Sequence, residues 1–236
     1  MENKRWDLRL LRKLINIILK PCLRAGLSWQ WLRFYPAIIP AQQCFAQWQL
    51  VNEHECPGYQ SWVDKNSLGS LTAWKLLQQQ ALHWQSAPKI SIVTPVYNVG
   101  ADVLYECILS VRAQAYPYWQ LVLVDDGSTR TETHKLLKSA VCKDPRIEVY
   151  FNKQSQGISR ATNLAIAKAQ GDYVVFLDHD DRLALDALFL IAEQIQRHPE
   201  IDIIYSDRDM ISPFNARYMH LFKPDWSPET LLSGNY

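Results

Sequence analysis

The chain has 236 residues, 48% of them hydrophobic and 21% charged. That is enough to bury one large core, or a core with an extension, and too apolar for a disordered chain. Its 25 Lys and Arg against 24 Asp and Glu leave a formal charge of +1, so bulk charge does not make it a polyanion binder, and no basic stripe supports a nucleic-acid partner.

No run reaches the ~18 consecutive apolar residues of a membrane-spanning helix. No secretory signal is read, because Arg9, Arg12 and Lys13 interrupt the apolar stretch near the start. The five cysteines, Cys22, Cys44, Cys56, Cys107 and Cys142, are odd in number and widely spaced. They imply neither a disulfide framework nor a zinc site, and suit reduced thiols in a cytoplasmic protein.

The tryptophans divide the chain. Trp6, Trp29, Trp31, Trp48, Trp62, Trp74 and Trp84 precede Pro88, and only Trp119 and Trp226 follow it. Residues 1–88 therefore read as a Trp-rich, mainly helical extension, broken at Pro21, Pro36, Pro40 and Pro57. Its first helix sets Arg9, Arg12, Lys13 and Lys20 opposite Leu8, Leu11, Ile15 and Ile18. With Trp29, Trp31, Phe34 and Tyr35 after it, the stretch 5–35 fits an anionic membrane surface, at the inner face of the membrane. It equally fits a helix that packs its Leu/Ile face on the rest of the protein.

Residues 89–236 alternate short apolar runs with helical patterns, the signature of an α/β domain with a mostly parallel sheet flanked by helices. Strands are predicted at 90–94, 120–124, 146–151, 173–177 and 202–205. Helices are predicted at 102–114, 131–141, 158–169 and 185–197. Ligands of such sheets lie outside the carboxyl ends of the strands. Polar residues gather there: Tyr97 and Asn98, Asp125 and Asp126, Asp178 to Asp181, and Asp207 with Asp209.

Asp178-His179-Asp180-Asp181 is the sharpest of these clusters. Carboxylates at i, i+2 and i+3 after a buried strand can converge on one Mg²⁺ or Mn²⁺ shared with substrate phosphates. One of the three also suits the cap of the next helix, and His179, between them, is expected to point away. Asp125-Asp126-Gly127-Ser128 can offer a carboxylate to a base or a ribose hydroxyl. It is also good turn chemistry, with Asp125 the stronger ligand candidate and Asp126 the stronger turn residue. Gly157 opens a helix whose free N–H groups and Arg160 can meet phosphate; a surface Arg on a Gly-led helix reads as well. Ser206-Asp207-Arg208-Asp209 fits a second acidic site or a solvated hairpin turn.

Together these stretches resemble the inverting glycosyltransferases of family two, with the GT-A fold. The resemblance rests on I-S-I-V-T-P-V-Y-N (90–98), V-D-D-G-S (124–128), G-I-S-R-A-T-N-L-A (157–165), A-Q-G-D-Y-V-V-F-L-D-H-D-D (169–181) and I-I-Y-S-D-R-D (203–209). F-K-P-D-W-S-P (222–228) further resembles the branch that builds O-antigen, rhamnan and related bacterial surface polysaccharides.

The resemblance implies that Pro95, Tyr97 and Asp125, with Asp126 beside it, line a base and ribose pocket. Arg160 would lie near the nucleotide. Asp178 and Asp180 would form the DxD pair holding Mn²⁺ or Mg²⁺ and the diphosphate, with Asp181 close by. It implies a nucleotide-diphosphate sugar donor, a glycan or lipid-linked acceptor and a single displacement.

Two departures stand out. Arg208 takes the place of a family Glu. The family's acceptor half and its general base come after the point where this chain stops, so no catalytic base is assigned before Tyr236 and a truncated transferase is expected. The alternative is a non-catalytic nucleotide-sugar-binding or scaffold fragment.

Overall fold

The computed structural model describes residues 40–45, 58–212 and 216–229. The chain divides into two compact units, Met1–Pro36 and Ala37–Tyr236, and every described residue lies in the second. The basic amphipathic helix and membrane contact expected within 5–35 lie outside the described residues.

Residues 40–45 are helical. Helices α1 (Tyr59–Asn66) and α2 (Leu71–Leu82) follow. Ser70 caps α2, its hydroxyl accepting from the Ala73 N–H at 3.2 Å. Trp74 of α2 is fully buried with Leu109, Ala113 and Leu185, and its indole N–H donates to the Ala113 carbonyl at 2.8 Å. An indole so placed buries a large apolar body without stranding its donor. It holds this helical stretch against the α/β part.

That part runs β1 (Ile90–Val96), α3 (Ala101–Arg112), β2 (Trp119–Asp125), α4 (Thr131–Lys143), β3 (Ile147–Phe151), α5 (Ile158–Lys168), β4 (Tyr173–Phe176) and α6 (Ala187–Arg197). The strands form one parallel sheet in the order β3-β2-β1-β4. The α/β fold expected from the sequence is the fold observed. β1 and β2 are buried at every position, as interior strands covered on both faces must be. Ile90, Ile92, Leu121 and Leu123 face a core shared with Leu104 and Ile108 of α3, Leu137 of α4 and Leu188 of α6. The alternate residues Val93, Val122 and Val124 pack under Ala161 and Ala165 of α5. Small residues on α5 let the helix sit close over the middle of the sheet.

β4 is an edge strand, its residues alternating between half-buried and exposed. Its start is fixed by a close approach to β1. The Ser91 hydroxyl accepts from the Gly171 N–H at 2.8 Å, and a Cβ on Gly171 would lie 2.6 Å from the Lys89 carbonyl oxygen. Gly171 is thus required by contact with β1 and does not cap α5, whose C-cap is Ala169.

The fifth strand expected at 202–205 does not form. Residues 201–207 are irregular, with Ile203 and Ile204 exposed. Strand pairing passes instead to β5 (Arg208–Ile211) and β6 (Arg217–Leu221), an antiparallel ribbon separate from the main sheet. The Ile-Ile-Tyr run has the propensity for a strand, but propensity is realised only where a partner edge is in reach.

Candidate functional site

The chain winds outward from β1 to β2 and β3, then returns to β4 on the other side of β1. The loops at the carboxyl ends of β1 and β4 therefore diverge, which is where open α/β sheets bind ligands. A pocket of about 250 Å³ opens at this point. Pro95, Tyr97, Asp126, Gly157, Ile158 and His179 are among its lining residues. A larger depression of about 770 Å³ lies at the opposite end of the sheet, around Trp84, Pro88, Asp172 and Gln196.

The loop after β2 organises the pocket. Asp126 is 3% exposed. Its oxygens accept from the Asn152 amide, the Ser155 hydroxyl and the backbone N–H groups of Gln156 and Gly157, all at 2.8–3.0 Å. Burial raises this carboxyl, but the bonds from Asn152, Gln156, Ser155 and Gly157 outweigh it, and the group sits below its ordinary range. Asp126 thus lines the pocket while both its oxygens hold the loop 152–157. Gly127 makes that approach possible: its φ is +74°, and a Cβ there would lie 2.8 Å from the backbone at Gln154 and Ser155. On the other side, the Asn98 N–H donates to the Ser128 hydroxyl and the Thr129 N–H to the Asn98 side-chain oxygen, at 2.9 and 2.8 Å. Asn98 reaches this clamp with φ 47°, a left-handed geometry that Asn tolerates.

Asp125 is 1% exposed. His134 Nε2 lies 3.0 Å from its Oδ2, while its Oδ1 is buried with no partner among the described residues. The Thr94 hydroxyl is buried and unpartnered in the same way. A buried carboxylate oxygen without a donor is costly and calls for an explanation. Tyr97 is half exposed at the pocket wall. Arg160 is exposed on the first turn of α5, whose N-cap Gly157 has φ 93° and open space where a Cβ would stand.

Asp178, Asp180 and Asp181 are exposed in the turn after β4. Among the described residues no three His, Cys, Asp or Glu side chains are gathered closely enough to hold a metal ion. The expected convergence of these three acids on one cation is therefore not formed by the protein's own side chains. Like charges in an exposed turn are driven apart unless a cation draws them together. The repulsion is felt: desolvation first, then the carboxylates of Asp180 and Asp178, push Asp181 above the ordinary range, and Arg208 and His179 oppose them. The donor chemistry nevertheless suits Mg²⁺ or Mn²⁺, which binds through one or two carboxylates with phosphates completing its shell.

Two contacts anchor this turn. The Cys107 thiol lies 3.5 Å from the Asp178 carbonyl, and burial, followed by Asp181, Asp180 and Asp178, pushes the thiol up to about 12. His179, expected to point away, instead donates from Nδ1 to the Pro95 carbonyl at 3.0 Å and lines the pocket. It ties the end of β4 to the end of β1. His134 and His179 are thus site residues that sequence reasoning missed. The only available signal for His179 was its place inside the acidic run; for His134 it was a His in the first turn of the helix after Asp125.

Asp207 and Asp209 do not join the pocket. Asp207 accepts from the Lys223 backbone N–H at 2.8 Å, and Asp209 is held by Arg217 and by the Tyr59 hydroxyl. The run 206–209 is neither a second acidic site nor a hairpin turn: it leads into β5.

Glycosyl transferase family 2 is the family whose model matches, over residues 91–232. A protein of Sinorhizobium fredii, y4gI, is 45% identical over 152 residues, covering 64% of this chain and 17% of its own length. The O-antigen biosynthesis protein RfbC of Myxococcus xanthus is 35% identical over 178 residues, covering 75% of this chain and 14% of its own. Among solved structures, TarS of S. aureus is 28% identical with a TM-score of 0.43, over 47% of this chain and 33% of that one. The chain spans less than a fifth of the length of the two relatives. Among the described residues no helix is long and apolar enough to cross a membrane.

Proposed function

The chain belongs to glycosyl transferase family 2, and we propose that its α/β part binds a nucleotide-diphosphate sugar for transfer, with inversion, to a glycan or lipid-linked acceptor in cell-surface polysaccharide synthesis. The observation that carries the reading is Asp125 Oδ1, buried at the carboxyl end of β2 with no partner among the described residues. A base N–H or a ribose hydroxyl supplies the donor it lacks, while His134 holds the other oxygen. Pro95 and Tyr97 offer an apolar wall to the base. The open first turn of α5 presents backbone N–H groups, with Arg160 beside them, to phosphate.

Asp178 and Asp180, with Asp181 adjacent, would hold a divalent cation together with the diphosphate. Bound there, the cation supplies charge neutralisation of the leaving group. The chain's own residues position the donor: Asp126 fixes the loop 152–157, and His179 fixes the acidic turn against β1. The reaction is a single displacement in which the acceptor hydroxyl oxygen bonds to the anomeric carbon. The bond from that carbon to the diphosphate breaks, and the hydroxyl proton leaves to a general base. A cytoplasmic setting, at the inner face of the membrane through residues 5–35, accords with a soluble nucleotide donor and with the basic charge of that stretch.

Calorimetric titration of the full chain with UDP, GDP and dTDP, with and without Mn²⁺, tests this reading. One nucleotide should bind, more tightly with the metal. Asp125→Ala should weaken binding in both conditions, whereas Asp180→Ala should remove only the gain from metal. Absence of binding by any of the three to folded protein overturns the proposal.

A further inference from the structure

Away from the pocket, four rings form a contiguous cluster where α1 meets the β5-β6 ribbon. Tyr59 stacks on Trp62 at 5.6 Å and 17°, and on His220 at 4.5 Å and 21°. Trp62 meets Phe222 at 5.0 Å, and His220 meets Phe222 at 4.8 Å. Tyr59 is 5% exposed and forms the floor, while Trp62 is 37% exposed, Phe222 46%, and His220 also faces solvent.

The cluster is built rather than incidental. The Tyr59 hydroxyl donates to Asp209 at 2.7 Å. Arg217 bonds Asp209 and also reaches the Ser67 hydroxyl at 3.1 Å. Burial and the bond to Asp209 raise the Tyr59 phenol to about 12, so it stays a neutral donor at any working pH. An ion pair and two hydrogen bonds thus fix two elements so that rings from both stay exposed side by side. Exposing rings in this way forfeits burial of about 25 cal/mol per Å².

We infer that this surface binds sugar rings of the acceptor glycan by stacking. The inference rests on the reading of the chain as a glycosyltransferase. A pyranose presents a face of C–H bonds carrying partial positive charge and a rim of hydroxyls. Aromatic faces carry the complementary negative charge. On α1 the hydroxyl of Ser61 and the charged groups of Asp64 and Lys65 are exposed on the turns around Trp62, with Gln60 half-buried beside them. That interleaving of ring and polar group matches a sugar. A lipid surface calls for a basic rim, and on the exposed face of α1 the acid Asp64 and the base Lys65 cancel. A second copy of the chain calls for a continuous apolar area.

The position also suits an acceptor. The ribbon that carries His220 and leads into Phe222 begins at Arg208, whose charge acts on Asp181 in the acidic turn. Trp62 lies outside residues 91–232, so the helical extension gains a role: it contributes to acceptor binding.

Saturation-transfer NMR on the full chain, with methyl α-D-mannoside, methyl β-D-glucoside and methyl α-L-rhamnoside as probes, decides the matter. At least one glycoside should receive saturation on its ring C–H protons. The Trp62→Ala/Phe222→Ala pair should weaken that binding about tenfold, the loss expected when stacked rings are removed. Trp62→Phe, which keeps a ring and the packing under it, should restore most of it. The same samples titrated with nucleotide should match wild type. Loss of nucleotide binding in wild type with glycoside binding intact would count against the donor reading alone. No saturation of any glycoside by wild type, equal saturation in the double variant, or a wild-type dimer that Trp62→Ala turns into a monomer would overturn the inference.

Discussion

Replacing Asp126 probes how the pocket is held together. Its carboxylate accepts from four donors on a segment some 30 residues away, at 2.8–3.0 Å. A hydrogen bond to a charged group contributes about 1.5–3 kcal/mol. Four such bonds do not add, because Ser155, Gln156 and Gly157 are exposed and water replaces part of what they lose. Asp126→Ala should therefore cost about 2–4 kcal/mol, nearer the worth of one or two such bonds than four.

Asp126→Asn discriminates further. Its oxygen can serve Ser155, Gln156 and Gly157 if its NH₂ turns toward Asn152, whose own amide can flip to present oxygen. Asn should thus cost roughly half of what Ala costs, chiefly through loss of charge assistance. The pH dependence has a definite sign. The folded carboxyl lies below its ordinary value of 3.8, so its stabilisation is present above that value and is lost as pH falls through the folded one. The stability gap between wild type and Asp126→Asn should therefore be full at pH 6 and close below pH 3.8.

Urea unfolding across that range, read at constant m, measures the gap, and nucleotide titration of the same variants reads the pocket. An Asp126→Ala chain with unchanged midpoint and unchanged nucleotide affinity would refute the reasoning. It would show that the loop 152–157 holds its shape without this carboxylate.

Other perturbations test other joints of the structure. Gly171→Ala places a methyl 2.6 Å from the Lys89 carbonyl oxygen and 2.7 Å from the Ser91 nitrogen; it should destabilise by about 1–3 kcal/mol or more, and an unchanged urea midpoint would contradict the close approach. Trp74→Ala removes a fully buried indole and strands the Ala113 carbonyl, so a loss of about 3–5 kcal/mol is expected in the same assay. Cys107, with its thiol raised to about 12 under the acidic turn, should react with iodoacetamide at pH 8 only as fast as the chain opens. Rapid labelling of native protein, mapped to Cys107 by mass spectrometry, would contradict that burial.

The main sheet was legible in the sequence because its central strands are buried on both faces. Ile90–Val96 and Trp119–Asp125 are mainly apolar runs followed by polar residues, and such runs have few other fates. The helices between them declared themselves by spacing, as Leu104, Ile108 and Val111 do in α3. The run 202–205 misled because a strand is a relation between two segments. Nothing local in Asp202 to Tyr205 says that its neighbour is lacking, nor that Arg208 to Ile211 will pair with Arg217 to Leu221 instead.

The candidate residues were legible in the sequence, and the contacts each one makes were not. Asp125 and Asp126 are adjacent and chemically identical, yet one keeps a buried oxygen with no partner among the described residues while the other gives both to a distant loop. That division depends on strand alternation combined with a contact about 30 residues away, which no window of sequence contains. The acidic turn presents the converse problem. Its acids are plain in the sequence, but exposed carboxylates take their positions from the charges they meet rather than from packing. On the proposed reading, their final arrangement is set by the cation and diphosphate they would meet. What the chain itself fixes is the backbone beneath them, through Cys107 at Asp178 and through His179 at Pro95.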